Sequence, residues 1–269
     1  MFDSSNELDS DLLWKNISEL PYFRGFLRAI EGRFYKELHL DQPVLDLGCG
    51  DGHFGARTFE KLCVLGIDPS YKIIRKANSY HFYTNLICCL GKNLPFRSGS
   101  YQTIISNSVL EHISDVDAVI VEVFKVLEKS GRFIISVPNE NFSSYLSIAL
   151  FFDRLGLSKF ARYYRKWFNF ISRHYHVEST ITWNKRLEKA GFKIIQSFEY
   201  FPPKFLMILE WGHYLGLPAL INKLFTGRWV LFPSKRNLCL RVLYSFLKGH
   251  YEKKPISEKG AYTFIIAQK

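Results

Sequence analysis

The chain has 269 residues, 47% of them apolar, and a formal net charge of +11. That length and apolar content exclude wholesale disorder and suit one α/β domain with elaborations, or a domain with a small lid. The charge is uneven, because residues 151–269 hold 21 Lys and Arg against 7 Asp and Glu while residues 1–150 hold 15 against 18.

Apolar residues at helical spacing (Leu12, Phe23, Phe26, Leu27, Ile30, Phe34) predict a helix over residues 8–38. Val44–Leu47 reads as the first strand. It runs into Gly48-Cys-Gly50-Asp-Gly52, a turn whose glycines let backbone N–H groups approach a ligand closely. His53–Lys61 is the next expected helix, and its positive N-terminal end faces the same ligand. A second strand, Cys63–Ile67, ends on Asp68, eighteen residues after Gly50. A carboxylate at a strand tip there is placed to accept both hydroxyls of a ribose, so this is a nucleoside-binding half-fold.

The pattern continues with a helix over Tyr71–Asn78, strands over Asn85–Cys89 and Thr103–Ser106, and a helix over Val116–Leu127. Strand Arg132–Val137 is closed by Pro138. A helix over Thr182–Ala190, stopped by Gly191, precedes strands Phe192–Tyr200 and Tyr262–Ala267. Strands alternating with helices imply parallel pairing and right-handed crossovers.

Two segments fall outside that pattern. Asn141–Tyr175 mixes an apolar helix, Tyr145–Phe152, with the basic aromatic run Arg162-Tyr-Tyr-Arg-Lys-Trp-Phe168. Phe201–Gly260 separates the last two strands and opens on a greasy stretch interrupted by Lys204, Glu210, His213 and Pro218. That stretch falls short of the roughly 20 apolar residues that span a bilayer. It reads either as an interfacial element with basic flanks or as a buried lid. The expected organisation is a helical cap (1–40), a cofactor-binding core (41–140), an acceptor-side lid insertion (141–180), the end of the core sheet (181–200 and 261–269) and an apolar, basic insertion (201–260).

The residues Asp46-Leu-Gly-Cys-Gly-Asp-Gly52, Gly66-Ile-Asp68-Pro, Leu94-Pro-Phe96, Ser106-Asn-Ser-Val-Leu-Glu-His112 and Gly131-Arg-Phe-Ile-Ile-Ser-Val-Pro138 stand in an informative order. Together they resemble the class I S-adenosylmethionine-dependent methyltransferases of the small-molecule, UbiE-like type, over about residues 40–140. The resemblance implies a Rossmann-like three-layer sandwich with a mostly parallel seven-stranded sheet, an antiparallel last strand and helical lid insertions. It also implies S-adenosylmethionine as cofactor. Asp46, Gly48, Cys49 and Gly50 would line its methionine half, Asp68 and Pro69 its ribose, and Asn107 the floor beneath the sulfonium. Relatives often carry an acid after the third strand, where this chain has Leu90 and Gly91, so adenine would rest on backbone N–H groups and apolar packing. Relatives also often have Phe-Asp where Tyr101-Gln102 stands here.

Methyl transfer from a sulfonium is an in-line displacement driven largely by positioning, and a base is needed only when the acceptor must lose a proton. The candidate proton acceptors are His112, His174 and His176, each with a structural role as the competing reading. Glu111 could join these histidines at a metal, but linear spacing gives that no support and no metal is expected. The five cysteines (Cys49, Cys63, Cys88, Cys89, Cys239) likewise show no metal-ligand spacing, and reduced thiols are expected.

No charged-then-apolar leader opens the sequence, so a cytoplasmic location is expected, with peripheral contact to the inner membrane face if residues 201–260 are interfacial. The basic, aromatic second half suits anionic lipid headgroups, phosphorylated acceptors or nucleic acid, or is a solvated face. The reading carried forward is methyl transfer, to oxygen, onto a small-molecule or lipid-linked saccharide or isoprenoid-like acceptor. The alternatives are an RNA methyltransferase, disfavoured by the lack of an Asn/Asp-Pro-Pro-Tyr motif and of an RNA-binding module, and a non-catalytic cofactor-binding protein.

Overall fold

The strands are short apolar runs, and two-sided burial of a parallel sheet demands that pattern. The computed structural model describes residues 10–59, 64–227, 229–230 and 237–269. Seven strands form one sheet: β1 (Val44–Leu47), β2 (Val64–Asp68), β3 (Asn85–Cys88), β4 (Tyr101–Asn107), β5 (Leu127–Pro138), β6 (Lys193–Tyr200) and β7 (Tyr262–Gln268). Their order is β3-β2-β1-β4-β5-β7-β6, and β7 runs antiparallel to both neighbours. The expected sheet, with its antiparallel last strand, is the one observed. The order reverses between β1 and β4, which leaves a crevice at their C-terminal ends, the usual ligand position in open α/β sheets.

Several expected boundaries shift for local reasons. The helix expected over 8–38 is two helices, α1 (Leu12–Ile17) and α2 (Tyr22–Lys36). Pro21 stands between them; it has no N–H to give and biases Leu20 away from helix. Helix α3 (His53–Thr58) ends before Lys61, and Lys61 and Cys63 lie outside the described residues. Helix α4 (Tyr71–Ala77) gives way to a 3-10 turn, Asn78–Tyr80. Helix α5 (Val116–Val126) runs directly into β5, which begins at Leu127 rather than Arg132 because it pairs with Tyr101 across an irregularity.

Helices cover both faces of the sheet. One apolar core gathers α1, α2 and the later helices, through Phe26, Ile30, Phe34, Phe201 and Leu247 among others. The other packs α5 and α9 (Thr180–Lys189) against the opposite face through Val119, Val123, Trp183 and Leu187.

The segment 141–175 is three helices, α6 (Glu140–Ser144), α7 (Ser147–Arg154) and α8 (Ser158–Ile171). Residues 201–260 supply α10 (Pro203–Leu215), α11 (Leu217–Thr226) and α12 (Leu238–Tyr251). Helix α10 lies so close to α2 that a Cβ on Gly212 would stand 2.3 Å from Phe23 Cβ. Its Glu210 is fully buried and accepts from the N–H of Ser147 at 2.6 Å, the N–H of Ile148 at 3.2 Å and the Tyr164 hydroxyl at 2.9 Å. The acid that interrupts the greasy stretch therefore caps α7 and bonds α8. No helix among the described residues is long and apolar enough to cross a membrane.

A second buried acid joins α2 to the sheet. Glu31 accepts from Arg28 at 2.8 Å, Asn107 Nδ2 at 2.7 Å, Ser108 Oγ at 2.9 Å and the Tyr200 hydroxyl at 3.0 Å. Glu31→Gln removes the charge and turns an acceptor into a donor among donors. It is expected to cost about 3 kcal/mol, measured by urea unfolding; an unchanged unfolding midpoint would show that the network carries no stability.

Candidate active site

The turn after β1 is held by β2, since the N–H groups of Gly48 and Cys49 both donate to the Ile67 carbonyl at 2.9 Å. Gly48 and Gly50 have φ of 78° and 56°, the left-handed region that glycine enters freely. A Cβ on Gly48 would stand 2.4 Å from Val109 Cγ1, whereas one on Gly50 would meet nothing within 4 Å. The turn is thus wedged on one side and open on the other. Gly48 and Cys49 of this turn line a pocket together with Asp46, Asn107, Ser108, Arg24 and Arg28, among others.

Asp46 is buried on β1, and burial pushes its carboxyl up to about 6 against the opposing effect of a 2.7 Å bond from the Tyr83 hydroxyl. Asp68 stands half-buried at the tip of β2, where its Oδ1 accepts from the Ser70 N–H at 2.9 Å. Burial raises its carboxyl as well. Pro69 is exposed beside it, and Leu90, after β3, is 51% exposed and next to the part-buried Gly91. Cys49 is buried, and burial holds its thiol well above the ordinary range.

Asn107 lines the pocket, but its side chain is already engaged: Nδ2 donates to Glu31, and Oδ1 accepts from Ser136 Oγ at 2.7 Å. Its carbonyl accepts from Arg28 at 3.3 Å.

Sequence reasoning missed Arg24 and Arg28. Both reach the pocket from α2; Arg28 is tied to Glu31, while Arg24 makes no hydrogen bond or ion pair among the described residues. The available signal was two arginines four apart in the first half of the helix, which places them on one face.

The histidines divide. His112 follows β4 in a 3-10 turn (Leu110–His112), with Nδ1 2.9 Å from the Arg173 carbonyl and Nε2 3.8 Å from Glu111 Oε1. Burial lowers its pKa. His174 lies 5.4 Å from His112, ring centre to ring centre, and burial, then His112 and His213, bring its pKa down to about 3. An imidazole that weak in base strength keeps a free lone pair but is poorly matched to accept a hydroxyl proton at neutral pH. His176 faces away from them, with Nε2 3.0 Å from the Ile113 carbonyl and Nδ1 3.4 Å from Glu178 Oε1. Glu111 is 1% exposed, and burial pushes its carboxyl up to about 8. Its backbone carbonyl accepts from the N–H groups of Tyr175 at 2.8 Å and His176 at 3.2 Å, which hooks the loop after α8 onto the end of β4.

The glycine turn, the acid-tipped second strand and the switch-point crevice define an α/β domain that binds a nucleoside cofactor, and the chemistry of the donors fits S-adenosylmethionine: carboxylates for an ammonium and a ribose, cations for a carboxylate, and an open glycine cradle between. The chain belongs to the methyltransferase-domain family, whose profile matches residues 22–197, and S-adenosylmethionine is its cofactor. Residues of the phosphoethanolamine N-methyltransferase 1 of Triticum aestivum are 27% identical over 190 residues, 65% of this chain and 32% of the wheat protein. The ubiquinone biosynthesis O-methyltransferase of Pelagibacter ubique is 29% identical over 142 residues, 45% of this chain and 55% of that one. A tRNA (carboxymethyluridine(34)-5-O)-methyltransferase of Xenopus tropicalis is 28% identical over 109 residues, 39% of this chain and 17% of that one. The chain therefore spans between about a sixth and about half of the length of these relatives.

Among solved structures, a SAM-dependent methyltransferase of Thermotoga maritima superposes with a TM-score of 0.58 at 16% identity, over 99% of this chain and 96% of that one. The [4+2]-cyclase SpnF superposes with a TM-score of 0.56 at 14% identity, over 90% and 80%. These likenesses show the fold alone, and a cyclase on the same fold underlines that the reaction is decided by the site.

The raised carboxyl of Asp46 has a sign that can be checked. Its folded pKa, about 6, lies above the ordinary 3.8, so the unfolded chain gives up this proton first. Wild-type stability should fall as pH rises from about 4 through 6 and level off above, a loss of about 3 kcal/mol from this group. Asp46→Asn keeps the shape without the charge. At pH 8 it should unfold at an equal or higher urea concentration than wild type; a variant weaker than wild type at pH 8 would refute a net burial cost.

Proposed function

We propose that this protein moves a methyl group from S-adenosylmethionine to an oxygen of an amphiphilic acceptor, a lipid-linked saccharide or an isoprenoid-like lipid, taken from an anionic membrane surface. The observation that carries the membrane half is the outer stripe of α8. Lys159, Tyr163, Lys166 and Phe170 follow one another at spacings of four, three and four, which puts them in one line up the helix. All four are exposed, with Tyr163 at 72% and Phe170 at 79%, while Ala161, Tyr164 and Phe168 bury the opposite stripe. Neither lysine forms an ion pair among the described residues. Aromatic rings alternating with lysines suit the headgroup layer, where rings sit at the interface and ammonium groups reach phosphates. Phe151, Leu155 and Phe160 add exposed apolar surface where α7 meets α8, and Trp211, Leu215, Val242 and Phe246 do so on α10 and α12.

The sulfonium supplies an activated methyl group and a neutral leaving group. Arg24 and Arg28 would take its carboxylate, Asp46 its ammonium, Asp68 its ribose hydroxyls, and Pro69, Leu90 and Gly91 would flank the adenine. Gly48, Cys49 and Gly50 would leave the cradle open to it, and Asn107, fixed by Glu31 and Ser136, would hold the wall beneath it. Residues 141–180 and 201–260 form the acceptor side in this reading. His112, exposed at one edge and held by the Arg173 carbonyl, is the histidine best placed to pass a hydroxyl proton to solvent, with His174 and His176 holding the loop.

Arg24→Ala is expected to weaken S-adenosylhomocysteine binding by about tenfold, the worth of one charge-assisted bond, in calorimetric titration with the unfolding midpoint unchanged. The acceptor is tested by supplying radiolabelled S-adenosylmethionine and a cell extract, followed by organic–aqueous partition. Label is expected in the organic phase; aqueous label lost on nuclease treatment would replace this reading with RNA methylation. Lys159→Glu with Lys166→Glu should lower binding to vesicles containing anionic lipid by about tenfold or more, and undiminished flotation would remove α8 from the membrane.

A further inference from the structure

We propose that Glu111, His112 and His174 form a site for one divalent transition-metal ion of the Zn2+ class, beside the pocket wall made by Ser108 and Val109. One ring nitrogen of each histidine and one carboxylate oxygen of Glu111 all lie within 4.8 Å of one another. Two of the three come from adjacent positions after β4, and the third comes from the loop after α8. That juxtaposition is invisible in linear spacing, which is why the sequence offers no metal signature.

The second observation is what these atoms lack. Glu111 is 1% exposed, yet its Oε2 finds no hydrogen-bond partner among the described residues, and neither does the buried Nδ1 of His174. Buried polar atoms are ordinarily satisfied, and those that are not call for an ion, a water or a function. His112 Nδ1 faces the Arg173 carbonyl at 2.9 Å and so carries the ring proton. Its Nε2 is then a lone pair, turned towards a carboxylate oxygen 3.8 Å away. Three side chains whose atoms can each give up a proton and offer a lone pair thus converge on one small space, two of them with a buried atom left unpartnered. The Arg173 carbonyl plays the part that outer-shell acceptors play at metal-bound histidines, fixing tautomer and ring orientation. Arg28, whose field reaches Glu111, is already paired with Glu31.

Two imidazole nitrogens and one carboxylate oxygen are the donors of Zn2+ and its neighbours rather than of Mg2+ or Ca2+. Ligands of such an ion stand about 2.0–2.1 Å from it, so binding draws the three side chains inward by roughly an ångström. Three protein ligands leave a coordination position for a substrate oxygen, as catalytic sites do. In the methyl-transfer reading, a hydroxyl bound there would release its proton to solvent. Its oxygen would form the new C–O bond as the S–C bond breaks and sulfur keeps the electron pair. Binding of the ion itself does not depend on that reading.

The test is binding, on the full chain stripped with EDTA and titrated with Co2+, followed by displacement with Zn2+. One equivalent should bind, with visible bands of cobalt in a nitrogen–oxygen site and no thiolate-to-cobalt charge transfer. His174→Gln and Glu111→Gln should each weaken it by tenfold or more, while His39→Gln, at an exposed histidine on the segment before β1, should not. Each variant's unfolding midpoint in EDTA separates lost ligation from lost folding, and His112→Gln, at an exposed position, stands in should Glu111→Gln fail to fold. The proposal is overturned by absent binding, by thiolate bands that place the ion on cysteines, or by wild-type affinity in the folded His174→Gln or His112→Gln variant. Failure of methyl transfer with intact metal binding would count against the functional reading alone.

Discussion

One buried carboxylate ties α2 to the C-terminal ends of β4 and β6. Glu31 is fully buried, and a charge taken out of water costs several kcal/mol unless partners replace the lost solvation. Here they do, because one guanidinium and three neutral donors converge on its two oxygens. The donors come from α2 itself, from the end of β4 and from the end of β6. The same bonds hold Ser108 in the left-handed region at φ 51°, a conformation a serine adopts only when its surroundings impose it. With Glu31 fixed, helical geometry puts Arg28 about one turn and Arg24 two turns back along α2, both at the pocket. The anchor that closes the fold is therefore also what delivers cations to the cleft.

A second set of restraints joins the additions to the core. The Glu111 carbonyl takes two N–H groups from the loop after α8, and the Glu210 carboxylate takes two from the start of α7. Each uses an acceptor from one segment to satisfy donors that helix ends and loops leave unpaired. The helices at residues 141–175 and 203–215 are bonded to each other, and α10 is packed on α2. An apolar stretch with an acid in its middle, weighed on hydropathy alone, is undecided between membrane and lid. In the structure, α10 buries Phe205, Leu206 and Leu209 while leaving Met207, Trp211 and Leu215 exposed, so the one helix has both a packed face and an exposed apolar one.

How much of this was legible in the sequence follows distance along the chain. The segment Asp46 to Gly52 and Asp68 are neighbours across one β–α–β unit, and the strands there are apolar runs bounded by glycine or proline. Local signals of that kind survive folding unchanged. The break at Pro21 was legible too, had the missing N–H been weighed above the helical period. The Glu31 network was not, because Tyr200 is 169 residues away from it. Nor was the meeting of His112 with His174, which depends on a backbone hook between Glu111 and Tyr175. Asn107 shows a subtler limit: its place at the end of β4 was readable, but the engagement of its amide by Glu31 and Ser136 was not.

The family profile ends at residue 197, before β7 and before α10 to α12. What lies inside it includes the glycine turn, the strands β1 to β5 and the helices of residues 141–175. What lies outside closes the sheet with β7 and covers α2 with α10 and α12. A chain that only needed to close its sheet could join β6 to β7 with a short antiparallel connection. This one spends about sixty residues between them, and leaves Trp211, Leu215, Val242 and Phe246 on the surface. Apolar surface of that size is costly in water unless something covers it. The physical argument for an amphiphilic acceptor thus draws on two places, the outer stripe of α8 within the profile and the exposed apolar residues of α10 and α12 beyond it.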